Sequence, residues 1–159
     1  MKQSISRNLI LLFFGLAIIT FSNSCTKEEE DACLKSETTQ KVTNVKVFLT
    51  IENQSGVPVE EEEVSVTISH FACGSDITLS EDAVASQEFT GTTNEFGLFE
   101  SDNVNFVLTN TQDRVVAFAI APNLDFFQQN YHREIKYYAD LQGTGQDEIY
   151  LTIIQKNQQ

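Results

Sequence analysis

Tryptophan is absent, histidine occurs twice, and 10 lysines and arginines stand against 23 aspartates and glutamates. Each shortage closes a class of function. With so little positive charge the surface repels nucleic-acid phosphates and anionic lipid head groups, so nucleic acid is not expected as a partner. His70 and Cys73 are spaced like metal ligands, but the only other histidine is His132 and no second Cys/His pair at zinc spacing exists. No metal and no cofactor is expected. There is no Gly-x-Ser-x-Gly elbow, and Gly143-Thr144-Gly145 is isolated, with flanks that do not fit a phosphate-binding loop. His70, on the alternating face of a strand, reads as a packed or hydrogen-bonded side chain, so no catalytic residue is assigned and no enzyme is expected. Leu9 to Ile19 is an unbroken apolar run of only 11 residues. As a helix it would rise about 16 Å, roughly half the hydrocarbon thickness that a spanning helix must cross.

What is present begins with an address. Met1 to Asn8 carries two positive charges and no negative one, the apolar run follows, and Thr20-Phe21-Ser22-Asn23-Ser24 leads to Cys25. A cationic head, a short apolar middle and small residues before a cut site define a secretory signal. Ser22-Asn23-Ser24-Cys25 resembles a lipobox, although Ser22 stands where an apolar residue such as Leu is usual. The resemblance implies that residues 1–24 are a signal peptide and that Cys25 is the lipidation site, carrying diacylglycerol and palmitate-type acyl chains. Two or three such chains anchor stably where one does not, at about 0.8 kcal/mol per buried CH₂. Removal of residues 1–24 takes Lys2 and Arg7 with it and no acid, so the formal charge moves from −13 to −15 on the remaining 135 residues.

Thr26-Lys27-Glu28-Glu29-Glu30-Asp31 follows at once. Lys27, Glu28 and Glu29 resemble the export signal that sends lipoproteins of some Gram-negative bacteria to the outer face of the outer membrane; a solvated spacer is the alternative. The expected location is the outer membrane, with surface exposure implied by that signal. Like charges in such a run repel and extend it, so residues 25–41 read as a lipidated acidic tether. Cys33 and Cys73 remain as an even pair in an oxidising compartment, and a disulfide between them is expected. It would close a loop spanning 40 positions and stabilise by about 4 kcal/mol on the chain-entropy account.

Residues 42–159 read as β throughout. Val45, Val47, Leu49 and Ile51 alternate with Lys46, Phe48 and Thr50; Val64, Val66 and Ile68 alternate with Ser65, Thr67 and Ser69. Further strands are expected at Glu88 to Thr93, Leu98 to Glu100, Val104 to Leu108, Val116 to Ile120, Glu134 to Tyr138 and Ile149 to Ile153. Turn chemistry separates them at Asn53 to Pro58 and Asn94 to Gly97. About seven short strands argue for a single antiparallel β-sandwich, an all-β fold. The one stretch with helical spacing is Asn123 to Tyr131, through Leu124, Phe127 and Tyr131.

Phe48-Leu49-Thr50-Ile51, Ser55-Gly56-Val57-Pro58-Val59, Val64-Ser65-Val66 and Thr92-Thr93-Asn94-Glu95-Phe96-Gly97-Leu98-Phe99 together resemble the carboxypeptidase regulatory-like family. That family has a transthyretin-like sandwich, and the resemblance over residues 45–120 implies that the Gly56 and Gly97 turns are register-setting corners. Three departures stand out: Glu60 to Glu63 before the second strand, Asn110 to Arg114 in place of a Pro-Gly-x-Tyr turn, and an insertion over about Phe71 to Gln87. A bacterial immunoglobulin-like module is the rival, and neither family implies catalysis.

Glu60-Glu61-Glu62-Glu63 lacks the alternating Asp/Asn-and-Gly pattern of a calcium loop and reads as a solvated run that discourages edge pairing. Asp76, Glu81 and Asp82 are no stronger as ligands. The most aromatic stretch is Asp125 to Tyr131 with Tyr137 and Tyr138; without tryptophan these rings read mainly as core, with Tyr137 and Tyr138 as a candidate ligand surface. The expected function is a non-catalytic lipoprotein of the envelope that binds a protein partner, the alternative being a glycan- or nutrient-binding accessory module.

Overall fold

Thr43, Val45, Val47, Leu49 and Ile51 are all fully buried, as a pleated strand with one face on a core requires. They line β1 (Lys41–Asn53). The computed structural model describes residues 40–124, 130–143 and 145–155, and Cys33. The chain divides into two compact units, Met1–Lys35 and Ser36–Gln159, and every strand among the described residues belongs to the second. After β1 come β2 (Glu63–Phe71), β3 (Ala85–Thr92), β4 (Leu98–Glu100), β5 (Val104–Leu108), β6 (Arg114–Ile120), β7 (Tyr131–Tyr137) and β8 (Gln146–Gln155).

They form two four-stranded sheets. In the first, β1 is central: β5 and β4 lie end to end along one edge, both antiparallel, and β8 runs along the other. The second has the order β3-β2-β6-β7, antiparallel throughout. The all-β sandwich expected from the alternation is therefore what the chain forms, with eight strands among the described residues. One pairing departs from a purely antiparallel arrangement, since β8 is parallel to β1. The cause is the crossing from β7. Lys41 Nζ, at the start of β1, donates to the carbonyls of Tyr138 (2.6 Å) and Leu141 (2.7 Å) just after β7. The chain thus enters β8 at the end where β1 also begins.

Inner faces meet residue by residue. Val47, Leu49 and Ile51 stand beside Ile149, Leu151 and Ile153, and opposite them pack Val64, Val66, Ile68, Val115, Ala117 and Ala119. Each of the larger side chains contributes about 1.5–3 kcal/mol by leaving water. Asp147 interrupts this face but is satisfied, accepting from the Thr43 hydroxyl and from the Gln142 N–H at 2.8 Å.

Two corners carry the chain between sheets at the end away from the start of β1, and they share one construction. Asn53 Oδ1 accepts the N–H groups of Ser55 and Val57; Asn94 Oδ1 accepts those of Phe96 and Leu98. Each turn closes on a left-handed glycine, Gly56 (φ 75°) or Gly97 (φ 66°), whose N–H donates to the asparagine carbonyl. The two expected glycine corners are thus present.

Some boundaries moved. β3 opens at Ala85, three residues before the expected Glu88, and β7 opens at Tyr131 and stops at Tyr137, so Tyr138 falls in the 3-10 turn Tyr138–Asp140. Of the stretch with helical spacing, Asn123 and Leu124 lie in a turn and Tyr131 begins a strand; 125–129 lie outside the described residues. The register sets which loops share an end. Lys41 stands beside Leu108, and Phe71, Arg114 and Tyr137 are aligned, so loops 72–84, 109–113 and 138–143 cluster at the end where β1 begins. Loops 54–62 and 93–97, with residues 121–124, form the opposite end.

Candidate functional site

The densest polar cluster is built around Asp113, in the turn between β5 and β6. That turn begins as the two glycine corners do: Asn110 Oδ1 accepts the Gln112 N–H at 2.9 Å, and the Asn110 carbonyl accepts the Asp113 N–H at 3.0 Å. Here the fourth position is an aspartate, and its side chain turns inward, 1% exposed. Oδ2 accepts the N–H groups of Thr109 (2.8 Å) and Asn110 (3.1 Å), and Oδ1 accepts that of Cys73 (3.1 Å). Its carbonyl takes the Tyr138 N–H. The Asp113 carboxylate thus joins the loop after β2 to the turn between β5 and β6, and its backbone carbonyl adds the turn after β7.

His70 completes the cluster. On β2 it continues the inward face of Val64, Val66 and Ile68, is 5% exposed, and lies against Phe106 with ring centroids 6.0 Å apart. Its Nε2 is 3.3 Å from Asp113 Oδ2. The expectation of a packed, hydrogen-bonded histidine describes this position. A histidine–aspartate pair can in principle move a proton, but Asp113 is committed to three backbone donors and the imidazole is buried against a phenylalanine. Cys33 and Cys73 are each disulfide-bonded, so the sulfur nearest to this pair is no free thiolate. Among the described residues no three His, Cys, Asp or Glu side chains converge as metal ligands.

The expected lipidation and export residues, Cys25, Lys27, Glu28 and Glu29, lie outside the described residues. Tyr137 and Tyr138, expected as one surface, do not share a face. Tyr137 is 54% exposed at the end of β7. Tyr138 packs against the core, and the Lys41 ammonium sits 4.0 Å from its ring centroid. Adjacent residues at a strand end point to opposite sides, which a linear aromatic cluster conceals. Exposed rings occur elsewhere too: Tyr131 stacks on Phe118 on the outer face of the second sheet, and Tyr150 on Phe48 on that of the first.

The acidic run is anchored rather than free. Thr93, 3% exposed, accepts the Glu62 N–H at its hydroxyl and donates that hydroxyl to the Val59 carbonyl. Burial, and then the neighbouring Glu63 charge, push the Glu62 carboxyl above the ordinary glutamate value of 4.5. At the other end the Thr78 N–H and hydroxyl hold Asp76 below its ordinary value.

Two contacts were not foreseen from sequence. Asp113 was legible only as part of a polar turn, although the Asn-x-x-Asp spacing matches the two Asn-x-x-Gly corners. His132, on β7, brings Nδ1 to 2.8 Å from both the N–H and the carbonyl of Thr152 on β8. It caps the middle of that strand's open edge, a contact with no local sequence signal.

No protein-family model matches the chain, and no curated protein matches it in sequence. Among solved structures it is similar to the C-terminal domain (869–1107) of the T6SS protein TssM from EAEC, with a TM-score of 0.45 and 13% identity over 72% of this chain and 94% of that one. It is also similar to the T6SS lipoprotein TssJ1 from Pseudomonas aeruginosa, with a TM-score of 0.36 and 15% identity over 70% of this chain and 88% of that one. At these values neither likeness assigns this chain a family, a partner or an activity.

Proposed function

We propose that this chain is a non-catalytic lipoprotein of the bacterial envelope, cleaved before Cys25, acylated on that thiol, and held on the outer membrane as a binding or accessory module for a protein partner. The observation that carries the proposal is Cys25 itself, preceded by a cationic head, an apolar run too short to span, and small residues. The lipid then supplies the membrane affinity, because a surface of this charge has none of its own for anionic head groups. Lys27, Glu28 and Glu29 act as the export signal and the rest of the acidic stretch as spacer. A Cys33–Cys73 disulfide ties the end of that spacer to the loop after β2.

A binding role fits the polar chemistry of the sandwich. Its buried carboxylate and histidine hold loops together instead of facing a cleft, while its edges and exposed faces offer contact surface. Intact mass of the mature protein tests the anchor: the expected species begins at Cys25 and carries acyl chains. Cys25→Ser is expected to move the protein from the membrane fraction to the soluble one. Equal membrane retention of that variant would overturn the proposal. Replacing Lys27, Glu28 and Glu29 by Ala, followed by protease treatment of intact cells, tests the export role; loss of cleavage in the variant is the expected result.

A further inference from the structure

Of the strand edges left open by the two sheets among the described residues, all but one carry a device that discourages further pairing. The β7 edge points His132, Glu134 and Lys136 inward, since they align with the inward residues Ala119, Ala117 and Val115; inward charges on an edge resist strand addition. The β8 edge is capped at Thr152 by His132. The edge formed by β4 and β5 is broken into three and five residues. β3 has none of these. Its eight residues, Ala-Ser-Gln-Glu-Phe-Thr-Gly-Thr, contain no proline and no lysine, pair among the described residues only with β2, and are exposed except Phe89 and Gly91. Its one charge, Glu88, accepts from the Ser65 hydroxyl at 2.7 Å.

We propose that the open edge of β3 is the docking site of the partner, which adds an extended segment there as a ninth strand, with basic residues alternating with apolar ones. The proposal rests on the binding-module reading and names its surface. Charge chooses the partner's chemistry. Glu88 and Glu63 face outward on β3 and β2, Glu81 and Asp82 precede β3, and neither β2 nor β3 contains a lysine or arginine. A second copy of a chain with a formal charge of −13 would bring like charges together, at a cost that a basic segment turns into attraction. The alternation follows from the pleat. Positions beside Glu88 and Thr90 lie on the acidic outer face. Positions beside Phe89 lie on the face that continues onto Phe99, whose ring fills the space that a side chain at Gly91 would need. Leu79 and Val84, 45% and 62% exposed, add apolar surface at the start of the strand.

Hydrogen exchange of the whole lipidated protein in detergent tests this with an end-capped decapeptide of alternating Lys and Val. The controls are a Glu/Val decapeptide and one of the same Lys/Val composition in two blocks. Slowed exchange of amides 85–92 with the alternating basic peptide alone is the expected result. Glu88→Lys should weaken that peptide at least tenfold and admit the acidic one; Thr90→Lys, which leaves Glu88 in place, should weaken it in the same direction. Protection on β8 instead, equal binding of the block peptide, or protection of β3 by self-association without peptide would each overturn the proposal. So would an isolated envelope partner whose binding ignores both variants. That last result would leave the binding-module reading intact, whereas membrane retention of Cys25→Ser would sink the anchor and leave the edge standing.

Discussion

His70 Nε2 and Asp113 Oδ2 meet 3.3 Å apart, 5% and 1% exposed, where the inner face of β2 reaches the turn between β5 and β6. The pair has the elements of acid–base chemistry but the surroundings of a structural bolt, because Asp113 also gathers the N–H groups of Cys73, Thr109 and Asn110. Loops distant in sequence are fixed through one carboxylate, and that makes the aspartate the more costly of the two to lose.

Asp113→Ala would leave those amides without their acceptor, at about 1–3 kcal/mol for each one that water cannot reach. The expected loss of stability is about 2–4 kcal/mol. His70→Phe keeps a ring against Phe106 and leaves the three amide bonds in place, so about 1 kcal/mol is expected. Urea denaturation of both variants checks the order. A larger loss for His70→Phe would show that the histidine, not the aspartate, holds the cluster.

The two corner glycines should differ although both are left-handed. A Cβ at Gly56 would stand in open space, with no atom within 4 Å, so Gly56→Ala carries only backbone strain of about 1–2 kcal/mol. At Gly97 a Cβ would come 2.4 Å from the Ile51 carbonyl oxygen and 3.1 Å from the Val59 nitrogen. Those two atoms are themselves hydrogen-bonded at 2.9 Å, so the clash cannot be relieved without breaking the corner. Gly97→Ala should cost at least about 2 kcal/mol more than Gly56→Ala, read from thermal or urea unfolding. Equal losses would contradict this geometry.

The parts of the fold that could be read in the sequence are those where alternation becomes a buried face. Val45 to Ile51, Val64 to Ile68, Val104 to Leu108 and Ile149 to Ile153 announce which side of each strand is inside, and the core confirms it. Alternation says nothing of neighbours, so the parallel pairing of β8 with β1 had no signal. It also fails at edges. Ala85 to Gln87 form the start of β3 with no apolar face, and in β7 the inward positions are His132, Glu134 and Lys136, which invert the usual pattern. Asp113 was hidden because a buried carboxylate among polar turn residues looks like any other turn aspartate until its donors are seen.

A Cys33–Cys73 disulfide should make stability depend on redox state. Its loop constrains the unfolded chain, so reduction is expected to cost about 4 kcal/mol. Cys73→Ser should cost the same and become insensitive to reductant, its backbone N–H still able to donate to Asp113. Unfolding with and without reductant, alongside peptide mapping under non-reducing conditions, checks both statements. A map that joins Cys73 to another chain's cysteine would overturn the intrachain pairing.

Glu62 should make the sandwich less stable at neutral pH than its side-chain packing alone would. Its Oε1 is buried with no hydrogen-bond partner among the described residues, and Glu63 lies beside it. Both raise the carboxyl above 4.5, its ordinary value. The folded chain therefore holds this proton more tightly than the unfolded chain does, and ionisation opposes folding. That opposition is fully present above the raised folded value, fades as pH falls through it, and is gone below 4.5, where both states are protonated. Glu62→Gln should raise Tm at about pH 7, and the gain should shrink as pH falls toward the ordinary glutamate range. Melting curves of the two proteins across that window give the test, and a gain that stayed constant with pH would assign it to the amide's new contacts and not to the lost charge.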